Sequence, residues 1–202
     1  PVIIQQQAFD QEGNEAFRAR TESAGFEHDQ QKMSSAIQMD IMLHAYMLTQ
    51  SGIPMLYSGD EIGQVNDYSY KQEPDRCVDS RYIHRGRFRW ELAQKRTDKK
   101  SVEGRIFGAL DRLEKIRKRE AVFSASANVS TYDVHEDAIL CLVREKAGEK
   151  FFGIFNFSSS EKTAWMKEEG IYGNLITGEK IKLDNLVIPG HDFCWLKKNA
   201  DC

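Results

Sequence analysis

From Ala121 onward the chain alternates short β-forming runs with turn formers, and this regularity constrains the fold more than anything else in the sequence. The runs lie at 129–133, 138–144, 150–157, 163–167, 173–176, 180–183, 186–189 and 192–196. Ala147-Gly148-Glu149, Ser158-Ser159-Ser160, Thr177-Gly178-Glu179, Asp184-Asn185 and Pro189-Gly190 separate them. Many short strands spaced by roughly ten residues predict an antiparallel β-sandwich or barrel. A domain boundary therefore falls near residue 121, with residues 121–202 forming the β domain and residues 1–120 something different.

Upstream of that boundary the periodicity is helical. Residues 1–28 are polar and aperiodic and read as a loop or part of an insertion. Pro1 in place of a Met reads as a cut end and predicts further sequence upstream. From about Asp29, Met33, Ile37, Ile41, His44 and Leu48 recur at spacings of three and four, so a helix with a broad buried face is expected. Asp40 interrupts that face and would need a partner there. Gly52 suits a left-handed helix end. The run Ile53-Pro54-Met55-Leu56-Tyr57 then has the signature of a strand buried on both faces. Residues 58–100 form a long polar loop whose aromatics (Tyr68, Tyr70, Tyr82, Phe88, Trp90) argue against disorder. A second helix is expected over 101–119, with Ser101 as N-cap and Gly104 where a capping box would place Glu. Helix, buried strand, loop and helix together are an α/β step.

The turn Gly59-Asp60-Glu61-Ile62-Gly63 presents two acids at the end of the expected strand, where parallel α/β folds carry their sites. Asp60 and Glu61 either brace the turn through backbone N–H groups or touch a ligand. As a glycosidase dyad they are poor, because neighbouring side chains point apart while such carboxyls must converge to ~5–5.5 Å. A calcium site from Asp60, Glu61, Asn66 and Asp67 does not match the EF-hand spacing, and no metal is expected. Cys77, Cys141, Cys194 and Cys202 show no CxxC pair and read as thiols of a reducing, cytoplasmic compartment. The sequons Asn128-Val129-Ser130 and Asn156-Phe157-Ser158 carry no weight without a secretion signal. A net charge of −3 argues against a nucleic-acid partner, and no apolar run approaches a membrane span.

Two motifs in order carry a family resemblance. Residues 52–63, followed by Asn66-Asp67, resemble the eighth barrel strand and following loop of the alpha-amylase family of glycoside hydrolases. Asp79-Ser80-Arg81-Tyr82-Ile83-His84-Arg85-Gly86-Arg87-Phe88 resembles the DSRW-x-HRPR run of amylosucrases, with Val78 where a second Asp is frequent and Gly86 replacing Pro. The resemblance implies the end of a (β/α)8 TIM barrel, its last helix-strand-helix units, over residues 1–120. It implies an antiparallel β-sandwich, the family's domain C, over 121–202. It places Arg81 at the floor of a glucosyl pocket, paired with an Asp from an earlier strand. Asp79 would brace the loop, Asp60 and Glu61 would line the rim, and Tyr82 would offer a flat face to sugar. The leading segment, with Arg18 and Arg20, resembles the inserted subdomain of amylosucrases, which carries an acceptor-site Arg; the resemblance does not assign that role to a particular arginine here. His28-Asp29 is not read as the His-Asp pair that ends the family's seventh strand.

The family's Asp nucleophile, Glu acid/base and stabilising Asp would all lie upstream, so this chain should hold no catalytic residue and be inactive alone. The longer enzyme would transfer or hydrolyse α-glucosyl groups of sucrose or an alpha-glucan by a retaining route, with no organic cofactor. Barrel surfaces left exposed predict a homo-oligomer. Two other readings stand beside this one. One is a non-catalytic carbohydrate- or protein-binding β-sandwich module using Trp165 and Trp195. The other is a small enzyme using Asp60 and Glu61.

Overall fold

The computed structural model describes residues 30–198, so Arg18, Arg20, His28-Asp29 and Cys202 lie outside the described residues. The chain forms two compact units. Among the described residues the first comprises 30–40 and 55–110, and the second 41–54 and 111–198. The helices α1 (Gln30–Thr49) and α3 (Val102–Arg119) each begin in the first unit and end in the second.

In the first unit, Gly59 takes φ +104° and Gly63 φ +61° around a 3₁₀ turn at Asp60–Ile62. Only glycine adopts such angles readily, so the flanking glycines permit the sharp reversal. The loop beyond carries further 3₁₀ turns at Ser69–Gln72 and Ser80–His84 and the short helix α2 (Trp90–Ala93). At the start of α3, Ser101 Oγ accepts from Gly104 N at 2.9 Å, as expected of an N-cap. A Cβ on Gly104 would lie 1.9 Å from Asp98 O, which is why no capping-box Glu stands there. Ile106 and Leu110 are buried in this unit, and Leu113 and Ile116, farther along α3, are buried in the second.

The run at 53–57 corrects the expectation of a strand buried on both faces. It joins no ladder among the described residues. Ile53 is 80%, Met55 64% and Tyr57 45% exposed. A strand needs a neighbour to take its N–H and C=O groups and cover its faces, and the described residues supply none.

The second unit is built on a six-stranded antiparallel sheet in the order β1-β2-β3-β6-β4-β5. The strands are β1 (Asn128–Tyr132), β2 (Ile139–Lys146), β3 (Glu149–Asn156), β4 (Lys162–Asn174), β5 (Lys180–Ile188) and β6 (Phe193–Lys198). The eight expected strands become six. The 163–167 run and the start of the 173–176 run belong to one strand, β4, which ends at Asn174 and whose register with β5 shifts between Ala164 and Lys167 and between Lys167 and Ile171. The 180–183 and 186–189 runs fuse in the same way as β5. Asp184-Asn185, expected as a turn, lies within β5, with Asn185 at φ +52°. Turn-forming residues absorbed an irregularity here without reversing the chain. Phe152, Ile154, Met166, Tyr172, Leu183 and Leu196 pack in the main buried cluster. Trp195, 0% exposed, packs with Phe123, its ring centroid 4.9 Å away. That burial removes Trp195 as a stacking platform.

Two buried polar side chains organise this unit. Arg144, on β2 and 0% exposed, donates from Nε to Val122 O at 2.7 Å, from Nη1 to Thr49 O at 2.8 Å and from Nη2 to Ser124 O at 2.9 Å. Arg117 donates to Leu48 O and, at 3.1 Å, to Gly52 O. Both guanidinium groups lie within 6 Å of the Phe123 ring centroid. The carbonyls at the end of a helix have no intrahelical donors and carry the negative end of its dipole, so two arginines close α1 there. Burial, with a smaller contribution from Arg117, pushes the Arg144 guanidinium down to about 10. Asn156, 0% exposed, donates Nδ2 toward the carbonyls of Ser160, Ile188 and Pro189 at 2.8–3.0 Å and accepts from Ser158 N and Oγ on Oδ1. Its sequon is sealed inside the fold.

Candidate functional site

All five residues singled out from the sequence lie in the loop of the first unit, on two 3₁₀ turns. Asp60, 5% exposed, and Glu61 sit on the first. Glu61 Oε2 accepts from Gly59 N at 2.8 Å, so this carboxylate braces its own turn.

Asp79, Arg81 and Tyr82 share the second turn. Asp79 caps it by accepting Arg81 N at 3.0 Å. The Arg81 guanidinium grips the same carboxylate through Nε at 2.8 and 3.1 Å and through Nη2 at 2.8 Å. These bonds hold the Asp79 carboxyl below the usual carboxylate range and raise Arg81. The Arg81 side chain is 70% exposed, so its outer face stays open to solvent. Tyr82 carries the Arg76 guanidinium 5.3 Å and the Arg85 guanidinium 5.4 Å from its ring centroid.

The two turns are tied together by Asn66 and Asp67, which stood out in the sequence, and by Gln64 and His84, which did not. Asp67 N donates to Ile83 O at 2.8 Å, and His84 Nδ1 lies 3.1 Å from Asn66 Oδ1. Buried Gln64 donates Nε2 to Arg87 O at 3.2 Å and accepts from Arg89 N on Oε1 at 3.1 Å. Gln64 thereby substitutes for a strand partner along 87–89. No local pattern marks a Gln for that work, whereas the Asn66-Asp67 pair did stand out. Gly86 packs against Asp67, and a Cβ there would fall 2.7 Å from Asp67 Cβ. This contact accounts for glycine where the resembled motif has proline. Asp67 also accepts from Ser69 N at 2.9 Å, and its hydrogen bonds to Ser69, helped by the charge of Arg89, hold it below the usual carboxylate range.

Among the described residues no cluster of three or more His, Cys, Asp or Glu is arranged to hold a metal ion. No described helix is long and apolar enough to cross a membrane.

No protein-family model matches the chain. Its fold does match solved enzymes. The trehalulose synthase MutB from Pseudomonas mesoacidophila MX-45 aligns over 79% of this chain and 38% of its own at 18% identity, with a TM-score of 0.65. The maltogenic amylase from S. marinus aligns over 80% of this chain and 19% of its own at 15% identity, with a TM-score of 0.56. An AmyP crystallised with maltotriose aligns over 80% and 35% at 14% identity, with a TM-score of 0.65. These neighbours are enzymes of the alpha-amylase family, and the mixed helical and antiparallel β fold expected from the sequence is the fold found. The chain spans well under half the length of each.

Proposed function

We propose that the chain is the C-terminal part of a retaining α-glucosyl enzyme of the alpha-amylase family. Its substrate would be sucrose or an alpha-glucan, as in amylosucrase-like transfer or hydrolysis. The observation that carries this reading is the Asp79–Arg81 arrangement, set in a chain folded like part of a trehalulose synthase. Asp79 fixes one edge of the guanidinium, and the exposed remainder can donate to a second carboxylate and to sugar hydroxyls. Asp79 and Arg81 would form the pocket floor, with Asp60, Glu61 and Tyr82 at its rim. The nucleophile and acid/base would come from residues outside this chain. The open strand-like run at 53–57 fits the same picture, since its apolar side chains call for covering strands. Until covered, they should drive the chain to associate with its own copies.

Turnover of sucrose and of a nitrophenyl α-glucoside tests the proposal. The 202-residue chain should show none. A longer protein containing it should turn over one of them, and Arg81→Ala there should lower kcat/KM by about 100-fold, the scale of a lost positioning contact. Turnover by the 202-residue chain, or an unaffected Arg81→Ala enzyme, contradicts the proposal.

One observation favours a second reading, a carbohydrate-binding β module. Trp165, on β4, is 51% exposed. A maltotriose titration that loses its binding heat in Trp165→Ala would support that role. Binding heat that survives the substitution excludes it.

A further inference from the structure

The sheet of the second unit ends in β1 on one side and β5 on the other, and the two edges differ. An open edge strand offers unpaired N–H and C=O groups to any chain that can align with it, and proteins guard such edges with charge, irregularity or proline. β5 is guarded. Lys180, Lys182 and Asp184 are exposed along it, Asn185 takes φ +52°, and its register with β4 shifts twice. β1, Asn-Val-Ser-Thr-Tyr, is not guarded. It has no charge and no proline, and its register with β2 is unbroken from Asn128↔Glu145 to Tyr132↔Cys141. Asn128, Val129, Ser130 and Thr131 are all exposed. The edge closes past the strand, where Val134 O accepts from Trp165 N at 2.9 Å.

Opposite charges flank the two ends of β1. At its start, Lys146 reaches over from β2 and donates to Ser124 Oγ and Ser126 Oγ. Past its end, the side chain of Asp133 is 79% exposed and accepts from His135 N at 2.8 Å. An antiparallel copy of the same strand brings the Asp133 of each chain toward the Lys146 of the other, whereas a parallel copy would set like charges together. Glu145, also near the start, is in register with Asn128 and so projects from the opposite face to Lys146. The edge is therefore self-complementary in the antiparallel sense, which is what a two-fold dimer requires.

We propose that β1 is a docking edge for a second copy of this chain, the two strands pairing antiparallel about a two-fold axis at Val129. This register draws on the four exposed residues. Asn128 meets Ser130 of the second copy, and Val129 meets its own counterpart, the apolar side chain that β1 leaves exposed. Main-chain bonds supply most of the adhesion, and so short an edge makes a weak, concentration-dependent dimer. The surface lies in the β domain and does not rest on the α-glucosyl reading.

Air-oxidation crosslinking of the full chain, with Cys77→Ser and Cys202→Ser in the background, tests the register. Facing residues of an antiparallel pair have Cα atoms about 4.5–5.5 Å apart, within reach of a disulfide. Val129→Cys should therefore bridge to its copy. Thr131→Cys, on the same face and also exposed, would stand four residues out of register with its copy, roughly 13 Å away, and should bridge at least about tenfold more slowly. Both positions are exposed, so neither cysteine should disturb the fold. Asp133→Lys should slow the Val129→Cys bridge severalfold, and adding Lys146→Asp, which restores opposite charges across the axis, should recover it. Association through the run at 53–57 gives no preference between positions 129 and 131. Equal bridging at the two positions overturns the proposal, as does a charge swap that recovers nothing. Val129→Cys left unbridged also overturns it, the result expected of an edge reserved for a different chain.

Discussion

Replacing Arg144 by Met keeps the length and apolar stem of the side chain and removes its three donors. Thr49 O, Val122 O and Ser124 O would then lose bonds of 2.7–2.9 Å. Each buried acceptor left bare costs about 1–3 kcal/mol. Ser124 O is only partly buried and water can reach it, so its share falls at the low end. Two effects act in the other direction. Met relieves the desolvation of a buried cation and its repulsion from Arg117, the causes that push Arg144 down to about 10. Both are outweighed, because Thr49 O lies at a helix end, where a carbonyl has no intrahelical donor. The net expected loss is about 3–4 kcal/mol, a large part of the ~5–15 kcal/mol that holds a typical domain together. Urea unfolding followed by tryptophan fluorescence measures it, because Trp195 is buried against the Phe123 ring that Arg144 overlies. Arg144→Lys, which keeps the charge but can reach fewer carbonyls, should fall in between. A loss below about 1 kcal/mol in Arg144→Met would refute the claim that these carbonyls depend on the guanidinium.

Native-state alkylation followed by peptide mapping should label exposed Cys77 and spare Cys141 and Cys194, which are buried. Burial pushes Cys141 up to about 12, and burial likewise raises Cys194, so neither offers a thiolate near neutrality. Acid should weaken the second unit through Glu120. Burial raises this carboxyl, but hydrogen bonds from Lys197 at 2.5 Å and from Arg119 outweigh burial and hold it below its ordinary value of 4.5. With the folded value depressed, the stabilisation is complete above pH ~4.5 and is lost as pH falls through the folded value. Lys197→Met should flatten that acid limb in a pH series of urea midpoints. Gly86→Ala should loosen residues 83–89, because its Cβ would meet Asp67, and faster hydrogen exchange there would register the change. Light scattering of the 202-residue chain should show association through the open run at 53–57, and a monodisperse monomer would contradict this.

What could be read from the sequence was what local chemistry decides. α1 and α3 lie within two residues of their expected ends, because apolar spacing and Ser101 act within one or two turns of chain. The β character past residue 121 was equally plain. Asp184-Asn185 misled because the same left-handed preference serves a reversal and an irregularity within a strand, and only the partner strand decides between them. Arg144 was unreadable for a related reason. Nothing in the sequence near it signals three carbonyls arriving from positions 49, 122 and 124. At the candidate site Asp79 and Arg81 stood out as motif residues, but Arg81 was expected to pair with an Asp from an earlier strand, and its grip on Asp79 was not the expected pairing. Gln64, which reaches residues 87 and 89, did not stand out.

The run at 53–57 failed in a different way, and the failure is informative. Its composition was judged as that of a strand covered on both faces, yet Ile53, Met55 and Tyr57 face outward. Polar pairing elsewhere is mixed: Arg144 meets three carbonyls and Asn156 uses both ends of its amide, whereas Glu149 Oε2 and Trp195 Nε1 are buried without a bond among the described residues. The outward face of 53–57 is a matter of cover: an apolar, strand-forming composition sets what a segment can do, but only a neighbouring strand can take its backbone groups and close its faces, and composition does not say whether one arrives.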